Sequence, residues 1–395
     1  MKKTLIALAA FAVSGASFAE VTISGSLIMG YKQTTSSGTT QVNHPLGLGV
    51  INAATQGADA SGFGVDTSEI DITVSENLGG GQSVEAKLAL AGADRSGESN
   101  AVAAGSGNAV SGRDATLSYT NNAFGRIQMG TTMESAVNSG IPSAGAPVID
   151  MDGKLFEIRT SSDFISYAAP IGPVIFQYKL SESSKGLGLG KGFSGTAGVT
   201  VGQRTSDFAV VYAKGPLQLV GVYRSYDNRN SVTIATVEGL TKNEAIAIQA
   251  GYDFGVAKLG FGIVNTTASV GAKVSDALIG VSVPAGAWTF GMTLGRSVVS
   301  GITDVATSAF PSAPASALTQ ADFKTFMSRA EGTANSLSVG AKYDFSKRTS
   351  LSVKYATWTR SGYEQFEAFG RTSNLGEFGY TANANESSIL LAHTF

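Results

Sequence analysis

Two pairs of charged residues near the start of the chain have the spacing of side chains that act together. Glu69 and Asp71 are separated by one residue, and so are Glu85 and Lys87. In an extended strand, this spacing places both members of a pair on the same face. Side chains held in this way could line a wet passage and act on passing ions.

A second group of charged residues lies in the long stretch from Met133 to Ser162. Its members are Glu134, Asp150, Asp152, Lys154, Glu157 and Arg159. Carboxylates are in the majority, so a loop that carried them into a narrow passage would favour cations there. In the alternative interpretation, these charges are solvated or pair with one another, Lys154 with Asp152 for instance.

Catalytic chemistry finds little support in the sequence. The only histidines are His44 and His393 and there is no cysteine, so a His-rich metal site and a thiolate nucleophile are excluded. There is no G-x-S-x-G motif, and the glycine-rich stretch Gly186–Gly195 is not a phosphate-binding loop because Lys191 is followed by Gly192. We therefore predict no catalytic residue, no metal, no cofactor and no enzymatic activity.

The first nineteen residues have the features of a secretory signal peptide. Lys2 and Lys3 give the positive end, Leu5–Val13 the apolar run, and Ser17-Phe18-Ala19 the cleavage site. We predict that residues 1–19 are removed and that residues 20–395 form one domain. The net charge of −2 becomes slightly more negative without the two lysines, which argues against a nucleic-acid partner.

The composition narrows the fold class. Charged residues make up 15% of the chain, below the roughly 25% of ordinary globular proteins, and glycine is abundant at 49 residues. No run of 18 apolar residues is present, so no helix of the predicted chain would span a membrane. An exported chain of this kind is either a soluble β-sandwich or lectin, or a β-barrel of the outer membrane.

The pattern of strands and loops favours the barrel. Sixteen segments with apolar residues at every second position run from Val21–Tyr31 to Ser387–Phe395. Their connections alternate between tight turns rich in Gly, Pro and Asn and long loops such as Lys32–Thr67. We predict an all-β fold: a 16-stranded antiparallel transmembrane β-barrel with short periplasmic turns and long extracellular loops.

The faces of the strands indicate which side meets lipid. Ile70, Ile72 and Val74 alternate with Glu69, Asp71 and Thr73, so the first set is predicted to face acyl chains and the second a wet lumen. The final strand would pair with the first, which removes both open edges, and Phe395 would lie in an interfacial aromatic belt. A final strand ending in Phe also resembles the signal that bacterial barrels present to their assembly machinery.

Several segments together resemble the general-diffusion porins of Gram-negative bacteria, closest to the β-proteobacterial type. They are the lysine-led signal, E-V-T-I-S-G after it, S-E-N-L-G-G-G-Q, Y-A-K-G-P-L-Q-L, A-K-Y-D-F-S-K-R-T-S-L and the closing A-H-T-F. The resemblance implies a homotrimer in the cell outer membrane, surrounded by lipid and lipopolysaccharide and passing small hydrophilic solutes. It also implies a third extracellular loop, about residues 133–162, folded into the pore.

The chain departs from that resemblance on the wall opposite the loop. Where the resembled porins usually carry arginines, the matching positions hold the following residues: Glu69, Thr73, Thr131, Ser166, Ala392 and Thr394. With Glu69, Asp71, Glu85 and Lys87 on the predicted pore wall, we expect a channel that is weakly cation-preferring or nearly unselective.

Three functions remain open from the sequence. Passive diffusion of small hydrophilic solutes and ions is favoured. A channel selective for a particular small anion, sugar or amino acid is the alternative, because the arginine positions are empty of arginine. Long loops such as Lys32–Thr67 and Arg296–Ala334 leave room for an additional role as a surface adhesin or receptor.

Overall fold

The computed structural model of the protein describes residues 19–37, 40–43, 50–53, 59–92, 111–134, 140–152, 154–156, 160–183, 204–227, 242–268, 273–301, 331–359 and 383–395. The predicted signal peptide, except Ala19, lies outside these residues. No helix among them is long and apolar enough to cross a membrane.

Sixteen long strands form one closed antiparallel barrel, which confirms the predicted fold class. Two short strands, β2 and β3, form a separate two-stranded sheet. The strands are β1 Glu20–Ser37, β2 Thr40–Asn43, β3 Val50–Ala53, β4 Ala60–Gly79, β5 Gln82–Ala91, β6 Ser111–Asn121, β7 Gly125–Glu134, β8 Thr160–Ile171, β9 Val174–Ser183, β10 Arg204–Lys214, β11 Leu217–Asp227, β12 Lys242–Asp253, β13 Lys258–Ala268, β14 Lys273–Ala285, β15 Trp288–Ser300, β16 Gly332–Asp344, β17 Thr349–Thr359 and β18 Asn383–Thr394.

The barrel closes where the last strand meets the first. Ser26 of β1 is opposite Thr394 of β18, and the ladder continues to Ser37 opposite Asn383. Phe395 extends the pairing, because its N–H donates to the carbonyl of Gly25 and its carbonyl accepts from the Gly25 N–H, both at 3.1 Å. Closure leaves the sixteen-stranded sheet without an open edge, as a sheet surrounded by lipid requires.

The two faces of the barrel differ in chemistry as the alternation predicts. Large apolar side chains project outward from most strands, with Ile23 60% exposed and Phe208 55% exposed. The inward positions carry small polar residues or charges, for example the buried Ser118 and Ser338. An apolar belt of this extent is unfavourable against water and favourable against acyl chains.

Tight turns connect adjacent strands at one end of the barrel. Gly172 and Gly215 begin two-residue loops and have φ angles of 61° and 60°, values that glycine adopts without a steric penalty. Aromatic rings gather at the same end, where Trp288 lies 4.9 Å from Tyr343 between ring centroids and Tyr343 lies 5.1 Å from Phe345. Such a cluster is typical of the interfacial belt of an outer-membrane barrel.

The first predicted loop was wrong in its bounds. Residues 32–37 of the predicted Lys32–Thr67 loop belong to β1 and residues 60–67 belong to β4, and residues 32–34 pair with residues 60–62. Polar side chains such as Gln33 and Thr34 interrupt the apolar alternation there. The backbone hydrogen bonds of a ladder do not depend on side-chain polarity, so the strands extend beyond the apolar belt.

Candidate pore lining and inward loop

A segment of the long connection between β7 and β8 lies inside the barrel. It begins with a short 3₁₀ turn, Ile141–Ser143, and continues along the inner face of β13 to β16. The Ser282 hydroxyl donates to the carbonyl of Ala144 at 2.8 Å, and the Ile149 N–H donates to the Ser338 hydroxyl at 2.9 Å. We call residues 140–152 and 154–156 the inward loop.

Glycines on the wall make room for this loop. A Cβ on Gly280 would lie 2.5 Å from the Pro142 carbonyl oxygen, and a Cβ on Gly340 would overlap the carbonyl oxygen of Pro147. Similar contacts would arise elsewhere on β13 and β15, between Gly260 and Pro142 and between Gly291 and Ala146. The sequence therefore uses inward-facing glycines to let one backbone approach another.

Apolar side chains fasten the far part of the loop. Ile149, Met151, Leu155 and Phe156 are each at most 6% exposed. They belong to one buried cluster with wall residues of β14 to β18, listed here: Leu278, Ala334, Ala356, Trp358 and Ala384. This burial fixes one side of the loop to the wall and leaves the other side toward the lumen.

A charged contact joins the loop to β18 and β1, the two strands that close the barrel. The Lys154 ammonium lies 3.7 Å from the Glu386 carboxylate of β18, and Lys32 of β1 lies 3.0 Å from the same carboxylate. Lys32 also approaches Asp66 of β4 at 3.3 Å. Lys154 lies 5.9 Å from the centre of the Trp358 ring as well. Sequence reasoning considered Asp152 as a partner of Lys154 and did not include Glu386.

Each acidic residue predicted to line the wall has a basic partner. Glu69 lies 2.8 Å from Arg113, and Glu85 lies 3.0 Å from Arg126. Asp71 lies 2.9 Å from Lys87, the fourth predicted wall residue. The four residues thus lie on the inner face of β4 and β5, within a set of charges of both signs.

Two strand irregularities bring in charges that alternation could not reveal. Leu88 faces Ala115 but Leu90 faces Gly112, so β6 has an extra residue at Arg113 and Asp114. In the same way, the pairing of β1 with β4 skips Asp66. Bulges of this kind re-aim side chains, here Arg113 toward Glu69 and Asp66 toward Lys32.

Arg126 and Glu386 are missed residues of a different kind. Both stand in register with the polar set of their strands, Arg126 two residues before Gln128 and Glu386 two residues before Ser388. Their parity alone would have assigned them to the lumen. The sequence analysis also missed a further pair. Arg224 of β11 donates to both carboxylate oxygens of Asp207, at 2.7 and 2.6 Å.

The predicted loop residues are described only in part. Asp150 is exposed and Asp152 is half-buried, and the Asp152 N–H donates to the Asp150 carboxylate at 3.2 Å. Glu134 ends β7, but its side chain lies outside the described residues, as do Glu157 and Arg159 entirely.

One position of the expected wall was assigned to the wrong face. Thr131 follows Ile127 and Met129, which are 43% and 46% exposed on the outer surface, and its hydroxyl donates to Asp163. Because alternate residues of a strand share a face, Thr131 faces outward and is no part of the lumen. By the same alternation, the buried Ser166 lies on the inner face.

The described residues contain no group of three or more His, Asp or Glu side chains placed to hold a metal ion. These residues form a polar interior with fixed charges, and a loop packed against the wall narrows it on one side. The interior of a sixteen-stranded barrel is wide enough to hold a water-filled channel.

Comparison with known proteins agrees with this geometry. The family model described as Gram-negative porin matches residues 4–363. An anion-selective porin from Comamonas acidovorans has a similar structure, with 18% identity, a TM-score of 0.58 and coverage of 96% of this chain and 100% of that one. OmpT, an outer membrane protein of Vibrio cholerae, is 11% identical with a TM-score of 0.55, over 95% of this chain and 99% of that one.

A mutant of the Rh. blastica porin is also similar, with 11% identity, a TM-score of 0.51 and coverage of 95% of this chain and 100% of that one. Comparison with curated proteins gave no match. At these identities the solved structures show the fold, and the family model extends over most of the chain. The protein is therefore an outer-membrane β-barrel that belongs to the Gram-negative porin family.

Proposed function

We propose that the protein forms a water-filled channel for passive diffusion of small hydrophilic solutes and ions, with a weak preference for cations or almost none. The observation that carries this proposal is the pairing of charges on the inner wall, from Glu69 with Arg113 to Asp207 with Arg224. Porin membership and the closed barrel indicate a channel rather than an enzyme.

Paired charges select weakly between ions of opposite sign. Two unit charges about 3 Å apart act on a passing ion as a dipole, whose field falls faster with distance than that of a single charge and is screened by salt within about 8 Å. Asp150 and Asp152 of the inward loop add negative charge on the other side of the lumen. Because the wall charges compensate one another, the carboxylates of the loop leave a small excess of negative charge at the lumen. This excess supports a small cation preference.

The zero-current potential across a salt gradient tests this selectivity. In a planar bilayer with unequal potassium chloride on the two sides, we expect a small potential with the sign of cation preference. A potential of the sign and size of a strongly anion-preferring pore would overturn this part of the proposal.

Liposome swelling separates diffusion by size from a substrate-selective channel. With sugars and amino acids of increasing size, passive diffusion gives rates that fall smoothly with solute dimensions. A rate that saturates with one solute, while others of equal size remain slow, would instead support the alternative of a dedicated channel for a particular anion, sugar or amino acid.

The proposal extends to maturation and assembly. Residues 1–19 would be removed on export, leaving residues 20–395 as the barrel with its inward third loop at about 133–162. The chain would form a homotrimer among lipid and lipopolysaccharide, and its final strand ending in Phe395 would engage the barrel-assembly machinery. The OmpT structure from Vibrio cholerae is described as a trimer form, which supports the oligomeric state. The intact mass of the purified protein tests the removal of residues 1–19, and light scattering in detergent tests the trimer.

A further inference from the structure

Lys354 of β17 lies on the inner face of the barrel, at the level of the inward loop. Its neighbours in the sequence, Val353 and Tyr355, project from the outer surface, so alternation places Lys354 inside. In the sheet, Lys354 is opposite Gly340 of β16, the glycine whose Cβ would overlap the Pro147 carbonyl oxygen. The strand pairing therefore places this lysine beside the segment that narrows the lumen.

Charges from four elements surround the Lys354 ammonium group. It interacts electrostatically with the carboxylates of Asp66 in β4, Glu386 in β18 and Asp150 in the inward loop, and also with the ammonium group of Lys32 in β1. The Lys354 side chain is half-buried, so water screens these interactions less than it would at an exposed site.

Together with Lys154, these groups form a cluster in which the charges balance. The carboxylates are those of Asp66, Glu386 and Asp150, and the ammonium groups are those of Lys32, Lys154 and Lys354. The first two lysines make close ion pairs with the first two carboxylates, at 3.0 to 3.7 Å. Lys354 supplies the remaining positive charge, and Asp150, which is exposed on the loop, supplies the remaining negative charge.

We propose that Lys354 is the residue that keeps the cation preference of the channel weak. In the narrow part of a lumen, a fixed charge changes the local concentrations of cations and anions. Lys354 offsets the negative charge of Asp150 at the surface of the loop, and so reduces the attraction of cations to that surface. The inference rests on the proposed function, for which it names a side chain that determines selectivity.

Neutral and charge-retaining substitutions separate the charge of Lys354 from its shape. Lys354→Met removes the ammonium group and retains the apolar stem. It should raise the permeability ratio of potassium to chloride roughly threefold, because salt only partly screens an uncompensated carboxylate in a narrow lumen. Lys354→Arg retains the charge and should keep the ratio within about 1.5-fold of that of the unsubstituted protein. Zero-current potentials in a potassium chloride gradient measure both ratios.

Lys347→Met is the matched control for the change in net charge. Lys347 is exposed in the turn between β16 and β17, so its substitution removes the same charge outside the narrow part of the lumen. Salt screens a charge in that position, and the permeability ratio should change by less than about 1.3-fold.

A double substitution tests whether Asp150 is the carboxylate that Lys354 offsets. Asp150→Asn alone should lower the ratio of potassium to chloride permeability roughly twofold. Its combination with Lys354→Met should return the ratio to within about 1.5-fold of that of the unsubstituted protein, because the two charges are lost together. If Lys354→Met yields no folded channel, Lys354→Gln makes the same change of charge and is judged by the same outcomes.

Four results would overturn the inference: an unchanged ratio in Lys354→Met, an equal rise in Lys347→Met, a Lys354→Arg channel that behaves as the methionine variant does, or a double variant that keeps the full rise. An unsubstituted protein that strongly prefers anions contradicts the proposed cation preference instead, while the shifts between variants still decide the role of Lys354. A protein that forms no channel contradicts both.

Discussion

Glu386 shows how a single carboxylate can position a pore loop. Its side chain is 5% exposed and lies within 3.7 Å of Lys154 and 3.0 Å of Lys32, one from the inward loop and one from the first strand. A buried carboxylate between two ammonium groups holds together elements that are far apart in the sequence. Its loss would remove the carboxylate that both lysines share, while Lys32 would keep its contact with Asp66.

The first prediction concerns this contact. Glu386→Gln should lower the stability of the folded barrel by about 1–3 kcal/mol, because a sheltered charge pair loses one member. It should also increase open-channel current noise, because the loop loses one of its ties to the wall. The temperature at which the folded band disappears in detergent electrophoresis and single-channel recording measure the two effects.

Glu85→Gln is the control for that prediction. Glu85 and Arg126 are 44% and 41% exposed, so their pair should contribute less than about 1 kcal/mol. Equal effects of the two substitutions on stability and on noise would contradict the role assigned to Glu386.

The second prediction concerns the neutral wall. Glu69→Gln leaves Arg113 without its carboxylate and should shift the ion preference toward anions, whereas Arg113→Gln leaves Glu69 and should shift it toward cations. Each shift in the permeability ratio should be on the order of twofold, since salt partly screens one uncompensated charge. Zero-current potentials of the two variants should move in opposite directions. Shifts of the same sign would contradict the compensation between these residues.

At the scale of the elements, the inward loop depends on the glycines of the wall. The third prediction is that Gly340→Ala displaces the loop toward the lumen, because the new Cβ would occupy the place of the Pro147 carbonyl oxygen. Overpacking of this kind costs about 1–3 kcal/mol, and the narrower lumen should lower single-channel conductance.

Gly221 supplies a control on the outer face of β11, the face it shares with the exposed Leu219 and Tyr223. A Cβ there would meet no atom within 4 Å, so Gly221→Ala should leave conductance unchanged. A Gly340→Ala channel with the conductance of the unsubstituted protein would show that the loop does not rest on this glycine.

Alternation of residues made much of the barrel predictable. The sixteen strands and their faces follow from apolar residues at every second position. Alternate residues of a strand lie on opposite faces of the sheet, so the apolar set must face lipid and the polar set water. The same rule placed Glu69, Asp71, Glu85 and Lys87 on the inner face without any coordinates.

The rule fails where the period breaks. The bulges at Asp66 and at Arg113 each add one residue to a strand, and an inserted residue reverses the parity of everything before it. Thr131 was assigned to the lumen by resemblance to other porins rather than by its own parity, and that assignment was wrong. The contact of Lys154 with Glu386 joins segments more than 200 residues apart in sequence, so spacing could not reveal it.

At the scale of the whole molecule, the barrel presents an apolar exterior to lipid. The fourth prediction is that Leu294→Arg, near the middle of β15 and 47% exposed, destabilises the barrel by about 2–4 kcal/mol in a bilayer. The cost arises from placing a charge among acyl chains. Unfolding by urea in phospholipid vesicles measures it.

Val256 offers the comparison, since it lies in the turn after β12 and is 75% exposed. Val256→Arg should cost at most about 1 kcal/mol, because the side chain would reach water at the membrane surface. Equal costs for the two arginines would contradict the placement of the lipid belt.

The most direct test of the whole account is single-channel recording of the purified protein in a planar bilayer, with the salt concentration first equal and then different on the two sides. We expect discrete conductance steps that rise with salt concentration and a small zero-current potential with the sign of weak cation preference. An intact bilayer without steps would contradict the channel, and a large potential of anionic sign would contradict the mutually neutralised lining.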